Sequence, residues 1–472
     1  MGDPGDELTD GIHLLSLNQL SGREIRRLAD RGRAAAVRPR QGGERVFGRL
    51  TAGRARPLAL GHGGYRTLAT RSLVETTGPT EERPLSWPLT DEERLLRDTA
   101  REFARRAVAP TAIERDEAER FDRSIFDEMG SLGLAGAPLP ESVGGGGFSY
   151  VGWTLVMEEI GAADMASAVT LSVHILSQYP VVTWGSDEQR ARWLPAMVDG
   201  SALGAFALTE PHAGSDAAAL RLRAERVGSA DAPDGYRLTG TKIWISNAPE
   251  ADRYLVFATT DPALGPKGIA AFLVEKGIAG FSFGAHEKKM GIRACPAAEL
   301  VFEDCFVPVA NRLGAEGEGY RIALSALAEG RISIAAACVG MARSALEAAA
   351  AYLRQRRAFG GVLAERETLR FMLAEMARDV EAARALTRQA AAAKDRGEAI
   401  GVASSLAKWT ASDTAMRVAT DAVQLFGASG YSRETGIERL MRDAKGAQIY
   451  EGTNQIHRAI VADDLLAGLP PE

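Results

Sequence analysis

From Gly317 onward Gly and Pro thin out, and Ala, Leu, Arg and Glu dominate the chain. The pattern predicts long helices at about 318–356, 367–395 and 401–426, too long to be connections and suited to a helical bundle. The last two carry Ala, Leu, Met and Val on more than one face, more apolar surface than one packing layer needs. Small Ala-rich faces allow close helix approach, so a contact between subunits is expected there.

Upstream, the period changes twice. Thr90-Asp91-Glu92-Glu93 has capping-box spacing, and Leu95, Leu96, Phe103 and Val108 continue at helical intervals up to Pro110. Further helices are predicted around Ile125–Leu132, Tyr150–Gly161 and Ala168–Tyr179, and at Asp187–Val198 behind Ser186 and Gln189. The Gly144–Gly147 run has no following Lys-Ser/Thr and no β-rich segment before it, so it is read as a flexible loop, not a phosphate loop. After Gly200, short β-branched or aromatic runs are separated by Gly, Pro, Asp and Asn: Leu203–Leu208, Arg221–Val227, Tyr236–Leu238, Ile243–Ile245, Tyr254–Ala258, Ile269–Val274 and Leu300–Val307. They predict a small antiparallel β-domain. The expected class is α+β, mainly helical, with a helical domain at 87–200, a β-domain at 201–312 and a helical bundle at 313–472.

Residues 1–86 fit none of this. A helix over Leu14–Ala36 with Ser21 and Glu24 at its start is conceivable, but residues 1–74 hold thirteen Arg, no Lys and seven acidic residues, a net +6 that leaves −12 for the remainder. Few apolar residues recur at any period, so a disordered extension is expected, or a start codon placed too far upstream. Asp3, Asp6, Glu7 and Asp10 count against a transit peptide. An acidic body argues against nucleic acid as partner, since phosphate contacts need a basic face. No apolar run reaches the roughly 18 residues of a membrane span. Cys295, Cys305 and Cys338 lack metal-ligand spacing and the six His are scattered, so no metal is expected. A reducing cytoplasm fits.

Four stretches carry candidate chemistry. Ile449-Tyr450-Glu451-Gly452-Thr453-Asn454-Gln455-Ile456-His457 sets one carboxylate between an apolar-aromatic pair and a Gly-Thr step. Burial there would raise the Glu451 pKa toward neutrality, as a base for a weakly acidic carbon-bound proton requires. The others are Phe206-Ala207-Leu208-Thr209-Glu210-Pro211-His212-Ala213-Gly214-Ser215-Asp216, Lys242-Ile243-Trp244-Ile245-Ser246-Asn247-Ala248, and Arg356-Arg357-Ala358-Phe359-Gly360. In this order and at this spacing they resemble the motifs of the acyl-CoA dehydrogenases, from about Leu89 to the end of the chain.

The resemblance implies the family's three-domain fold and its reaction, α,β-desaturation of an acyl-CoA thioester. Glu451 would remove the α-proton while hydride passes to the flavin N5 atom. The thioester carbonyl would accept hydrogen bonds from the Glu451 backbone amide and a flavin ribityl hydroxyl, in the manner of an oxyanion hole. It also implies FAD as cofactor, held by Phe206, Leu208, Thr209 and Ser215, by Trp244, Ile245 and Ser246, and by Thr453 and Gln455. Arg356, Phe359, Gln424 and Gly427 complete the set, with Arg356 and the Gln424 segment reaching the flavin of a neighbouring chain in a homotetramer. Ser215, Arg331 and Gly452 would contact substrate, and an electron-transfer flavoprotein would take the electrons.

Some relatives carry the base on the long helix, at the position of Gly330, which cannot act as one. Adjacent Glu329 lies about 100° round the helix and is read as a surface charge. Ala328 stands where the family often has an Asp that contacts CoA. Ala428 replaces the second Gly of a Gln-x-x-Gly-Gly motif. Glu367 replaces a flavin-contacting Gln, and an extra carboxylate near a pyrophosphate is expected to weaken FAD binding. Two other readings share the fold: an acyl-thioester oxidase or acyl-carrier-protein dehydrogenase, and a non-catalytic scaffold like the DNA-associated relatives, against which an intact Glu451 counts.

Overall fold

A computed structural model describes residues 87–229 and 233–467. The expectations for the N-terminal extension and its helix fall outside them.

The chain runs helices, sheet, helices. Helix α1 (Asp91–Phe103) opens on the expected capping box: Glu93 N donates to Thr90 Oγ1 at 3.1 Å and Thr90 N to Glu93 Oε2 at 2.9 Å. Short α2 (Ala112–Glu117) and α3 (Arg123–Ser131) lead to two core helices, α4 (Tyr150–Ala163) and α5 (Met165–Trp184), then α6 (Asp187–Val198). The Ser186–Gln189 box caps α6, and the same Gln189 amide donates to Ala310 O and Arg312 O at 2.8 Å, tying this domain to the sheet. The 144–147 glycine run is not the flexible loop expected from sequence. Gly145, Gly146, Gly147 and Phe148 donate backbone hydrogen bonds to Pro140, Gly136, Leu139 and Ala137, folding it flat on the preceding turn.

The sheet comprises β1 (Gly204–Ala207), β2 (Arg223–Gly228), β3 (Pro233–Ser246), β4 (Arg253–Thr259), β5 (Ile269–Glu275), β6 (Phe281–His286), β7 (Ala297–Pro308) and β8 (Arg312–Leu313). Its order is β6-β7-β3-β2-β4-β5-β8, with β1 on β4. It is not wholly antiparallel: β1 pairs parallel with β4, and β2 meets β4 in parallel at Arg223–Thr259. The β2–β3 hairpin intervenes between β1 and β4, which supplies the long return a parallel pair needs. Two predicted runs, Tyr236–Leu238 and Ile243–Ile245, are halves of β3, which shifts register against β7 at Leu238/Gly240 and again at Lys242/Ile245. The second irregularity turns Trp244 out of the ladder.

Helix α7 (Gly319–Gln355) is the axis of the C-terminal part, packed by α8 (Glu367–Asp395) and α9 (Gly401–Phe426). Short α10 (Ala428–Tyr431), then α11 (Ile437–Ala447) and α12 (Asn454–Ala467), complete the bundle. Helix α4 crosses α7 closely enough that a Cβ at Gly340 would lie 2.0 Å from Glu158 O, so the contact requires glycine. Asp395, at the end of α8, accepts from Tyr150 N at 2.6 Å and Val151 N at 3.1 Å, satisfying amides that the start of α4 leaves open. Sequence gave no membrane-length apolar run, yet α5 and α7 are long and apolar enough by length and composition. The most apolar window of each is mostly buried inside the protein, 89% in α5 and 72% in α7, as core helices are.

Candidate active site

The segment between α11 and α12 is a tight turn, closed where Asn454 N donates to Gln448 O at 3.1 Å. Glu451 (φ +54°) and Gly452 (φ +92°) at its apex are both left-handed. That conformation is costly for Glu and persists only where the surroundings hold it. Lys408 of α9 does so, donating to Gly452 O at 2.7 Å and Asn454 Oδ1 at 3.2 Å. Asn454 Nδ2 in turn donates to Ser412 Oγ and Asp413 Oδ1 at 3.0 and 2.8 Å.

The Glu451 side chain points at α7. A Cβ on Gly330 would lie 2.7 Å from Glu451 Oε2 and 3.0 Å from Leu176 Cδ1, so the absent side chain is the space the carboxylate occupies. Oε2 is buried with no hydrogen-bond partner, and the Glu451 amide N–H meets no acceptor among the described residues. Burial lifts the Glu451 pKa to about 7 against the pull of Lys408 and Arg331. A carboxylate left short of partners at neutral pKa, beside an unengaged amide, is equipped to take a proton from a carbon whose carbonyl the amide can hold.

Glu329 is not the surface charge read from sequence. Its side chain is only 13% exposed and pairs with Lys394 of α8. Burial raises its pKa. The Lys394 ammonium across the α7–α8 groove only partly offsets that burial, and the helix turn carries Glu329 away from the Gly330 face. Arg331 is buried, with Nη1 donating to Ser405 Oγ at 3.3 Å and its charge facing Glu451.

The two motifs of the β-domain lie side by side. Ile243 N donates to Thr209 O at 3.0 Å, and buried Lys242 donates to Leu208 O at 3.0 Å and Glu210 Oε1 at 2.7 Å. Glu210 also accepts from Arg221 N and Leu222 N at 2.6 and 2.9 Å. Asn247 anchors the second motif by donating to Thr170 O and Gly204 O at 3.1 and 2.9 Å. With its backbone at φ +59°, Trp244 presents an indole that is 52% exposed. Thr209 and Ser246 are half-buried on these segments, Phe206 is half-buried, Leu208 and Ile245 are buried, and Ser215 lies in an exposed turn. A half-open aromatic plane with short hydroxyls on its own and the adjoining segment suits a flat heterocycle such as a flavin. Thr453 and Gln455 flank the base, half-buried and exposed.

Arg356, Phe359, Gln424 and Gly427 are not part of this constellation. Arg356 lies 26 residues along α7 from Gly330, about 39 Å at the helical rise. It leads into a hairpin, β9 (Arg357–Ala358) and β10 (Gly361–Val362), whose turn puts Phe359 (φ +52°) and Gly360 (φ +81°) in the left-handed region. Phe359 is 88% exposed there. Tyr352 stacks on Phe426 at 4.2 Å between centroids, setting Gln424 and Gly427 beside the Arg356 end. Exposed Glu367 opens α8 next to this hairpin, and Ala428 opens α10.

Sequence reading left Lys408, Glu210, Lys242, Asn247 and Asn454 without roles. Lys408 has one signal, a lone cation among Ser404, Ser405, Ala411 and Ser412 on a face that is otherwise small and buried. No group of three or more His, Cys, Asp or Glu among the described residues could hold a metal ion.

Comparison with known proteins follows the same three parts. The N-terminal, middle and C-terminal domain models of acyl-CoA dehydrogenase match residues 90–201, 205–305 and 317–466. An acyl-CoA dehydrogenase of Bacillus subtilis is 44% identical over 381 residues, covering 80% of this chain and 99% of its own. The structure of butyryl-CoA dehydrogenase from Megasphaera elsdenii superposes with a TM-score of 0.78 at 42% identity, over 81% of this chain and all of that one. A chain solved in work on the electron transferring flavoprotein of Acidaminococcus fermentans and flavin-based electron bifurcation gives a TM-score of 0.79 at 44% identity, over 81% of this chain and 99% of its own.

Proposed function

Because the chain belongs to the acyl-CoA dehydrogenase family, we propose that it desaturates a short acyl-CoA thioester between its α and β carbons, with FAD as cofactor and an electron-transfer flavoprotein as electron acceptor. The observation that carries this reading is Glu451, whose Oε2 is buried, unpartnered and aimed at the glycine face of α7.

The α-proton of a thioester is a far weaker acid than a carboxylic acid, so the carboxylate needs help. The unengaged Glu451 amide supplies it by donating to the thioester carbonyl, where charge builds as the proton leaves. Glu451 takes that proton on Oε2, and its pKa near 7 makes it a better base than a solvated Glu while leaving it ionised in useful amount at neutral pH. Leu176 and the bare Gly330 wall the acyl chain beside the carboxylate. Trp244, Thr209 and Ser246 would hold the flavin, with the Lys242–Glu210 pair fixing both segments. Bound there, a flavin would supply the hydride acceptor for the β carbon, the one part of the reaction the side chains do not perform.

The 39 Å between Gly330 and Arg356 supports a site completed by a second subunit, and we place the Arg356–Gln424 end against the flavin of a neighbouring chain in a homotetramer. The test is absorbance of the purified protein under anaerobic titration with straight and branched acyl-CoAs. Bleaching of the flavin by short chains is expected. A protein without flavin, or one whose flavin no acyl-CoA bleaches, would overturn the reading, and rapid reoxidation by air would favour the oxidase alternative.

A further inference from the structure

Two lysines are wholly buried among the described residues. Lys242 is balanced by contact with the Glu210 carboxylate at 2.7 Å. Lys408 touches only neutral oxygens, Gly452 O and Asn454 Oδ1, and forms no ion pair among the described residues. A buried ammonium without a carboxylate in contact is expensive, and its field extends through a weakly screening interior. The carboxylates within reach of that field are Glu451 and Asp413, of which Glu451 interacts the more strongly.

We infer that Lys408 is a positioning residue for the catalytic base: it holds the left-handed 451–454 turn from beneath through the Gly452 carbonyl and sets a positive charge behind the Glu451 carboxylate. This rests on Glu451 being the base.

The groups facing the carboxylate leave that task to few candidates. From α7 come Arg331 and Cys338, from α4 Tyr150, and from the turn itself Tyr450. Arg331 is the other cation, and its guanidinium is engaged by Ser405. His457 of α12 packs against Gly452, and burial with the Lys408 and Arg331 charges pushes its pKa down to about 3, so it stays neutral. Asp413, the nearest acid to Lys408 on α9, is turned to Trp409, Gln448 and Asn454. Of the charges opposing the burial of Glu451, Lys408 is the larger. Lys408 is itself held down to about 8 by its burial.

The experiment follows anaerobic flavin reduction by butyryl-CoA against pH, with crotonyl-CoA affinity and flavin content measured on the same preparations. Lys408→Gln keeps a donor for Gly452 but no charge, Lys408→Arg keeps the charge, Lys408→Met keeps neither, and Glu451→Gln is the control for the base. In Lys408→Gln the midpoint of the rising limb should move up by about one pH unit or more, with flavin content and crotonyl-CoA affinity as in the parent. Lys408→Arg should hold the midpoint. Lys408→Met should add a fall of about tenfold or more in the limiting rate, as the turn loses its anchor. An unmoved midpoint in Lys408→Gln overturns the inference, and so does equal loss of flavin in Gln, Arg and Met, which would make Lys408 merely structural. If Glu451→Gln is still reduced normally, the assignment of the base itself has failed. An inactive Glu451→Gln beside an unmoved Lys408→Gln midpoint refutes the role of Lys408 alone.

Discussion

Two glutamates meet glycines of the same helix, Glu451 with its carboxylate and Glu158 with its backbone carbonyl, ten residues apart on α7 or about 15 Å at the helical rise, and burial has opposite outcomes at each. Glu158 of α4, beside Gly340, is surrounded by Arg384 at 3.0 Å, Arg388 at 3.5 Å and Arg343 at 3.7 Å. Those charges hold its pKa down to about 2 although burial opposes them. Glu451, beside Gly330, faces two cations that do not touch it, and burial lifts it to about 7. Glu158 is buried and Glu451, with its Oε2 covered, only partly so, yet the deeper carboxylate is the one that keeps its charge; the partners in contact therefore separate a carboxylate that fastens helices together from one kept ready to accept a proton.

The sharpest test of this contrast is at Glu451. Glu451→Gln keeps volume and backbone amide but cannot accept a proton. Flavin reduction by acyl-CoA should fall by up to about 10⁴-fold with FAD and acyl-CoA binding retained. The same change should make the fold more tolerant of rising pH. A carboxyl whose folded pKa is raised from 4.5 to about 7 contributes stability below 4.5, and that contribution is lost as pH rises through 7. Thermal melts of the parent and Glu451→Gln should therefore diverge between those limits, the variant being the more stable at neutral pH. Near-normal reduction would show that the base lies elsewhere.

Glu158→Gln should do the reverse. Removing one member of a buried ion cluster strands its arginines, at a cost of about 3–5 kcal/mol, while the rate per folded, flavin-loaded site stays near the parent value. Its sign with pH is also opposite: a carboxyl lowered from 4.5 to about 2 contributes stability above 4.5 and loses it as pH falls toward 2. The parent should lose its advantage over Glu158→Gln across that acid window in urea titrations. An inactive but stable Glu158→Gln would erase the distinction between the two sites.

How far sequence reached differs between the two sites for the same reason. Helices α8 and α9 fall on the residues their periodicity predicted, 367–395 and 401–426, because long Ala- and Leu-rich runs with clear ends carry their own signal. Strand β6 and helices α11 and α12 went unread. Gly284 and His286 interrupt β6, and α11 hides buried Arg439 and Asp443 among charges that look solvated. Glu451 stood out because the 449–457 stretch as a whole resembles a family motif; its neighbours Tyr450, Gly452 and Thr453 alone describe an ordinary turn. Nothing local marks Glu158, whose arginines come from α7 and α8, and Glu329 was misread because its partner, Lys394, lies 65 residues away. Local chemistry leaves a trace in a linear motif, whereas a pairing made by packing does not.

The far end of α7 offers a smaller effect. Arg356→Ala should weaken FAD binding by about 1.5–3 kcal/mol, roughly ten- to 150-fold, if it contacts a flavin phosphate. Co-expressed with Glu451→Gln, it should form mixed oligomers in which some sites have both groups intact and recover part of the activity. Failure of the two to complement, or a monomer by light scattering that holds FAD, would place each site within one chain.

The smallest effect is expected from deleting residues 1–85. Both carboxylate sites are built from residues beyond that point, and α1 starts on a cap that needs nothing upstream, Thr90 and Glu93 satisfying each other's amides. The same Glu93 accepts from Ser149 Oγ at 2.8 Å at the start of α4, the helix that carries Glu158. Further along α1, Arg101 donates to Glu159 at 2.9 Å. A deletion that disturbed α1 would therefore be felt first in the ion cluster, as a lower melting temperature, with Glu451 chemistry unchanged. Stability within about 0.5 kcal/mol of the full chain is expected, with the same flavin content and reduction rate. Insoluble protein would mean that the extension covers the outer face of α1, where Leu95 is 44% exposed. Lost FAD with an unchanged melting temperature would instead tie the extension to the flavin site.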